Sequence, residues 1–237
     1  MRLLPSFALT VLLGAIALPV LADTDIDVVY GDEIAKRGEV AVELAARWSQ
    51  TARASQFAGR NRWQAVGELA YGLTDNFSLG VKLPVSRVDG SWHGHGAYAE
   101  ASYVAPHRAD GFYWGAEVEA GSIKEIREER AFVLEVFPIL GYRAGRFHLS
   151  GNPSVEYMSE GVEKGWEFAP KAKLSYSLND AHALGLEYHA GGDKRGDTAY
   201  LTWDAKIHGQ KMSVALGHGT THGADRWAIR IGIELDD

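Results

Sequence analysis

From Trp63 to Val85 the side chains alternate with a period of two. Trp63, Ala65, Gly67, Leu69 and Tyr71 alternate with Gln64, Val66, Glu68 and Ala70. After the polar cluster Thr74-Asp75-Asn76, the residues Phe77, Leu79, Val81, Leu83 and Val85 alternate with Ser78, Gly80, Lys82 and Pro84. A period of two is that of a strand with one apolar face. Two such strands around about three polar residues predict a hairpin.

The pattern continues along the chain, and its turns come in two lengths. Short clusters stand at 74–76, 107–111, 143–145, 179–182 and 208–209; longer ones stand at 50–61, 86–95, 122–129, 157–165, 191–197 and 219–225. Between them lie about twelve segments of about 8 to 13 residues, the length of a tilted membrane strand. A soluble sandwich also alternates, but it has no reason to alternate short and long connections. The aromatic residues agree with a membrane. Trp48, Trp63, Tyr157, Trp166, Tyr188 and Trp227 fall near the long-loop ends. Tyr71, Phe77, Tyr103, Phe112, Trp114, Tyr142, Phe147 and Tyr176 fall near the short-turn ends. Two aromatic belts are what two membrane interfaces require. The expected fold is all-β: an antiparallel transmembrane β-barrel of about twelve strands, with short periplasmic turns and longer extracellular loops. Phe132–Tyr142 fits least well, because it is apolar on both faces apart from Glu135.

Composition narrows the setting. Met1-Arg2, an apolar run to Val20 and a small-residue end at Ala22 have the order of a secretory signal peptide, expected at 1–22 and removed. Residues 23–39 then form a periplasmic lead-in, and 40–237 the barrel. Loss of Arg2 leaves 23 bases against 31 acids, a net charge of about −8 that argues against nucleic acid. The chain has no cysteine, which excludes disulfides and thiolate metal sites. The expected location is the outer membrane of a Gram-negative cell, with outer-membrane lipid, the barrel-assembly machinery and a small-molecule solute as partners. The C-terminus has a polar residue, Gly232 and Leu235 in the order of an assembly signal, but ends in Asp236-Asp237 rather than an aromatic residue.

The run ELAYGLTDNFSLGVKLPVS (68–86) resembles an element of small outer-membrane proteins of the meta-pathway phenol-degradation type, described as transporters. GEVAVELAARWSQ (38–50) is similar in placement. The likeness covers about 50 residues and is structural. It implies outer-membrane location and passage of small molecules, and it names no solute.

Alternation places seventeen charged residues inward: Glu43, Arg47, Glu68, Lys82, Glu100, Glu117, Glu119, Glu135, Glu156, Glu167, Lys171, Lys173, Glu187, Asp204, Lys206, Arg230 and Glu234. Eleven are acids and six are bases, so a hydrated lumen lined by them would lean toward cations. The rival arrangement is an ion-pair network that fills the barrel. A twelve-strand barrel lies between the filled eight-strand type and the open channels of 16–18 strands. A constriction is expected at Glu117, Glu119, Lys171, Lys173, Asp204, Lys206 and Arg230. The leading reading is a porin-like channel or transporter for small polar or aromatic solutes, with no enzyme activity and no cofactor.

Two other classes compete. Histidines on the long-loop side (His93, His95, His218 and His222, with Asp193 or Asp225 beside them) are candidate metal ligands of a non-conducting surface barrel. The pair His148-x-Ser150 is similar to the His-x-Ser pair of outer-membrane phospholipase A and of lipid A deacylases. It lies beside a short turn, faces inward away from lipid, and is followed by Gly-Asn rather than Asn-Gly. A lipid hydrolase is therefore the third reading.

Overall fold

The computed structural model describes residues 26, 28–52, 60–88, 90–124, 126, 129–161, 164–191 and 196–236. The leader expected at 1–22 and Asp193 lie outside them. The described residues form fifteen strand segments. They are β1 (Val40–Gln50), β2 (Asn61–Thr74), β3 (Phe77–Val88), β4 (Ser91–Gly94), β5 (Gly96–Val104), β6 (Gly111–Lys124), β7 (Arg130–Ala144) and β8 (Phe147–Asn152). Then follow β9 (Val155–Met158), β10 (Gly165–Phe168), β11 (Lys171–Asn179), β12 (His182–His189), β13 (Thr198–Ile207), β14 (Gln210–Gly219) and β15 (Trp227–Asp236).

Three staves consist of two segments each, so the fifteen segments make twelve staves. Pro153 interrupts β8/β9 and Pro170 interrupts β10/β11, where a residue without an N–H drops out of the ladder while the register on either side is unchanged. At His95, between β4 and β5, one extra residue enters against β3 and forms a bulge. β1 pairs antiparallel with both β2 and β15, and β8 pairs with both β7 and β11. The sheet therefore closes on itself, as a sheet surrounded by hydrocarbon must if its backbone groups are to stay paired. Twelve staves, short turns at one end and longer connections at the other follow the sequence pattern. One connection differs. Residues 86–95 were expected as a loop, but β3 runs on to Val88 and β4 folds back onto it. The alternation of Ser86, Arg87 and Val88 simply continues past the point where the polar cluster suggested an end.

The apolar face is outside. Leu69, Leu83, Leu186 and Leu201 are each more than half exposed, whereas Lys82, Glu119 and Arg230 are buried. The aromatic belts form in register: Trp48 opposes Trp63, Tyr157 opposes Trp166, Phe112 opposes Tyr142 and Phe147 opposes Tyr176. Leu186, Leu201 and Leu216 lie side by side across three staves. Leu201→Arg, in the middle of that row, should cost about 2–4 kcal/mol. Urea titration of the barrel in lipid vesicles measures it; a loss under 1 kcal/mol would place this row away from the membrane midplane.

The largest departure from the sequence reading concerns residues 23–39, expected as a periplasmic lead-in. Ile26 and residues 28–37 lie inside the barrel as a strap. Ile26 packs on Ala45 and Val66, and Tyr30 and Ile34 pack on Val104, Tyr113 and Ile139. Tyr30 meets Phe137 edge-on at 5.0 Å and exchanges hydrogen bonds with the Asn152 amide side chain (2.7 and 3.2 Å). At the short-turn end Arg37 pairs with Gly72. A Cβ on Gly72 would stand 1.8 Å from the Lys36 carbonyl oxygen, so only glycine lets the strap pass there. The strap explains why β7 is apolar on both faces. Val133, Phe137 and Ile139 face inward and are buried. Phe137 and Ile139 find their apolar partners on the strap.

Candidate functional site

The strap divides the lumen into two unlike halves. It lies against β2, β3, β5, β6, β7 and β8, and that half is packed. The other half, along β11–β15 and β1, holds a cavity of about 450 Å³.

On the packed side the inward glutamates fall in cross-strand register. Glu43 opposes Glu68, Glu68 opposes Lys82, Glu100 opposes Glu119, Glu119 opposes Glu135, Glu135 opposes Glu156, and Glu156 opposes Glu167. Like charges directly opposite are unfavourable in a sheet, so this row needs cations and hydrogen-bond donors. Lys82 supplies the central one. Its Nζ lies 2.6 Å from Glu119 Oε1, 3.6 Å from both Glu100 and Glu117, and 3.8 Å from Glu68. Tyr30 of the strap adds its hydroxyl, 2.9 Å from Glu119 and 2.6 Å from Lys82. Ser102 donates to Glu117 at 2.8 Å. Nearby, the Lys171 ammonium stands 4.9 Å over the Phe137 ring.

On the open side the charges are paired across the wall. Arg230 donates to both oxygens of Glu187 (2.8 and 2.9 Å) and lies over the Tyr200 ring. Arg47 reaches Asp225 at 3.0 Å and Gln64 at 3.2 Å. Lys173 meets Asp204 at 2.8 Å, and Lys211 meets Glu234 at 2.9 Å and the strap's Glu33 at 3.0 Å. All seventeen residues occupy the inward side of the alternation. The expected constriction is not one ring, however. Glu117 and Glu119 belong to the packed half, Lys173 and Asp204 line the cavity, and Lys206 is exposed at the short-turn rim. They separate because the strap, which strand periodicity cannot place, stands between them.

The histidines do not gather. His95 is buried, its ring sharing hydrogen bonds with Ser86 Oγ (2.8 Å) and the Lys124 carbonyl (2.9 Å). His93 is half-buried on β4, His218 packs edge-on against Trp227, and His222 is exposed. Among the described residues, no histidine belongs to a group of three or more metal-ligating side chains. His148 and Ser150 do face inward at the short-turn end. Tyr113, which the sequence reading missed, joins them. Its hydroxyl lies 2.6 Å from His148 Nε2 and 2.7 Å from Ser150 Oγ, with His148 and Ser150 3.1 Å apart. The strap's Gly31 sits against all three. A tyrosine hydroxyl takes the position beside the imidazole, and the lipid face is on the other side of the wall, so this trio ties the wall to the strap rather than facing a lipid.

The sequence reading also missed Tyr30, Asn152 and the pair Asp32–Arg143. Two Arg143 nitrogens donate to the two carboxylate oxygens of Asp32, and His107 Nε2 stands 3.4 Å away. The one signal in the sequence was the apolar inward face of β7, which demanded a partner.

No protein-family profile matches the chain, and no curated protein sequence does. Solved structures do resemble it. A crystal structure of an outer membrane channel from Pseudomonas putida F1 has a TM-score of 0.67 at 12% identity, covering 90% of this chain and all of that one. The KdgM porin follows at 0.59 and 11% identity, covering 82% and 98%. The translocator domain of the autotransporter NalP from Neisseria meningitidis has 0.52 at 12% identity, covering 86% and 90%. At such identities the likeness is one of fold: this chain folds as an outer-membrane-type β-barrel.

Proposed function

We propose that the protein is an outer-membrane channel passing small polar or aromatic solutes along the cavity beside the strap. The observation that carries this is the cavity itself. A closed barrel with an apolar outer wall holds about 450 Å³ of charged space open at the short-turn end, within the size range of small-ligand pockets. Its lining has more carboxylates (Asp32, Glu33, Glu43, Asp180, Asp204, Glu234) than bases (Arg143, Lys173, Lys206, Lys211). Fixed charge of one sign biases a pore toward the opposite ion. The fold shared with an outer membrane channel and a porin supports the class of function. The hairpin resembling the phenol-degradation family supports passage of small molecules, and the leader-like 1–22 supports export to the outer membrane.

Planar-bilayer recording of the refolded mature protein in a salt gradient tests the reading. Discrete steps with a cation-leaning reversal potential are expected. A folded barrel that never conducts, or one that prefers anions, would overturn it.

A further inference from the structure

The lipid-facing side of the wall carries formal charge in one place. Among the described residues, the lysines, arginines, aspartates and glutamates at outward strand positions are Arg87 on β3, Lys124 on β6 and Arg130 on β7. All three are bases, all are exposed, and all stand at the long-loop end of one flank. At the same end of the opposite flank, the outward positions hold Trp48, Tyr188, His218 and Trp227. A charge facing lipid is costly at the midplane and tolerated near an interface. The membrane therefore accounts for the height of the three cations. It does not account for their common sign or their common flank.

Their surroundings favour an anion. Arg87 has a belt tryptophan on each side, Trp63 opposite it on β2 and Trp92 opposite it on β4. Lys124 and Arg130 face each other across β6 and β7, two residues beyond the pair Ser122 and Phe132. Like charges directly opposite repel, and among the described residues none of the three cations makes an ion pair. Glu129 is exposed beside Arg130 in the chain and does not pair with it. Arg130 donates to the Ser122 carbonyl at 2.8 Å, and Arg87 Nε donates to the Gly90 carbonyl at 3.3 Å. Those contacts orient the two guanidinium groups and leave their charge uncompensated.

We propose that Arg87, Lys124 and Arg130 bind the phosphate groups of a lipid headgroup in the outer leaflet. Interfacial aromatic rings sit at headgroup level, so cations among and just beyond them meet headgroups before they meet bulk water. Phosphate is the anion that such headgroups present, and the guanidinium fork matches two of its oxygens at once. One phosphate between Lys124 and Arg130 replaces their mutual repulsion with two attractions. The fold-back of β4 has a purpose here, since it brings Trp92 up beside Arg87 and extends the belt on this flank. The inference rests on the outer-membrane placement of the barrel and not on conduction through the cavity.

The test is native mass spectrometry of the full refolded chain in detergent, titrated with lipid A and, separately, with lipid A stripped of its phosphates. The phosphorylated form should bind about tenfold tighter, the worth of one hydrogen bond between charged groups. Arg87→Gln/Lys124→Gln/Arg130→Gln should abolish that preference. Lys124→Gln/Arg130→Gln leaves the β3–β4 hairpin untouched, should reduce the preference at least threefold, and serves if the triple variant fails to fold. Arg108→Gln/Arg146→Gln removes two exposed bases at the short-turn end and should leave the preference as it is. Equal binding of the two lipids by the parent would overturn the proposal. So would an equal loss in the short-turn variant, as the mark of general charge attraction rather than of a site on this flank.

Discussion

Removing residues 26–36 should raise single-channel conductance at least threefold. The strap fills half of a lumen that twelve staves enclose, and without it the cavity along β11–β15 joins the space in front of β6 and β7. The latch that holds the strap is ionic at its short-turn end. Arg143 grips Asp32 with two hydrogen bonds, and Lys211 holds Glu33. Burial pushes the Asp32 carboxyl up, but the Arg143 hydrogen bonds and charge outweigh it and hold the group below its ordinary value. A lowered folded value means that this contribution is fully present above the ordinary aspartate value of about 3.9 and is lost as pH falls through the lowered one. Conductance of the parent should thus be level from pH 8 to pH 5. Asp32→Asn/Glu33→Gln keeps the chain intact while weakening both ties, and should produce frequent open bursts at neutral pH. The two results are read together, because the truncated chain bares Phe137 and Ile139 to water and folds less well. Unchanged conductance in both variants would mean that ions do not pass the strap at all.

What the sequence disclosed and what it hid follow from the same physics. Strands announce themselves because a wall between lipid and a polar lumen forces a period of two on every stave, and Leu69, Leu79 and Leu83 could be placed on one apolar face from the sequence alone. The turns were legible because glycine, asparagine and aspartate gather where the chain reverses. The strap has no such constraint. Val28 to Ile34 obey no period, since their partners stand on several different staves. Tyr30 alone touches Phe137, Asn152, Glu119 and Lys82. The inward list was readable residue by residue, but its division into a packed half and an open half was not. That division depends on which staves the strap leans against. The apolar inward face of β7 was the visible anomaly, and an anomaly of that kind calls for a partner without naming it.

Lys82→Met should be the most damaging single change in the wall, costing about 3–5 kcal/mol of barrel stability. Methionine matches the stem of lysine in length and shape, so little packing is lost. What disappears is an ammonium with four carboxylates within 3.8 Å. In water such a loss is screened. Here Lys82 and Glu119 are both buried, and the strap's Tyr30 roofs them over. The penalty is the uncompensated charge left behind more than the pair that is removed, and a cycle of variants can tell the two apart. Glu119→Gln alone removes one repelling carboxylate along with one partner, and should cost less than Lys82→Met. The double variant Lys82→Met/Glu119→Gln should be more stable than Lys82→Met alone, with a coupling of at least 1 kcal/mol, as expected of residues in direct contact. Urea unfolding in lipid vesicles, followed by the loss of tryptophan fluorescence, measures all three. Additive effects would mean that Lys82 stabilises the barrel through its stem, and that the row of glutamates on β5, β6 and β7 holds its charge by some other means.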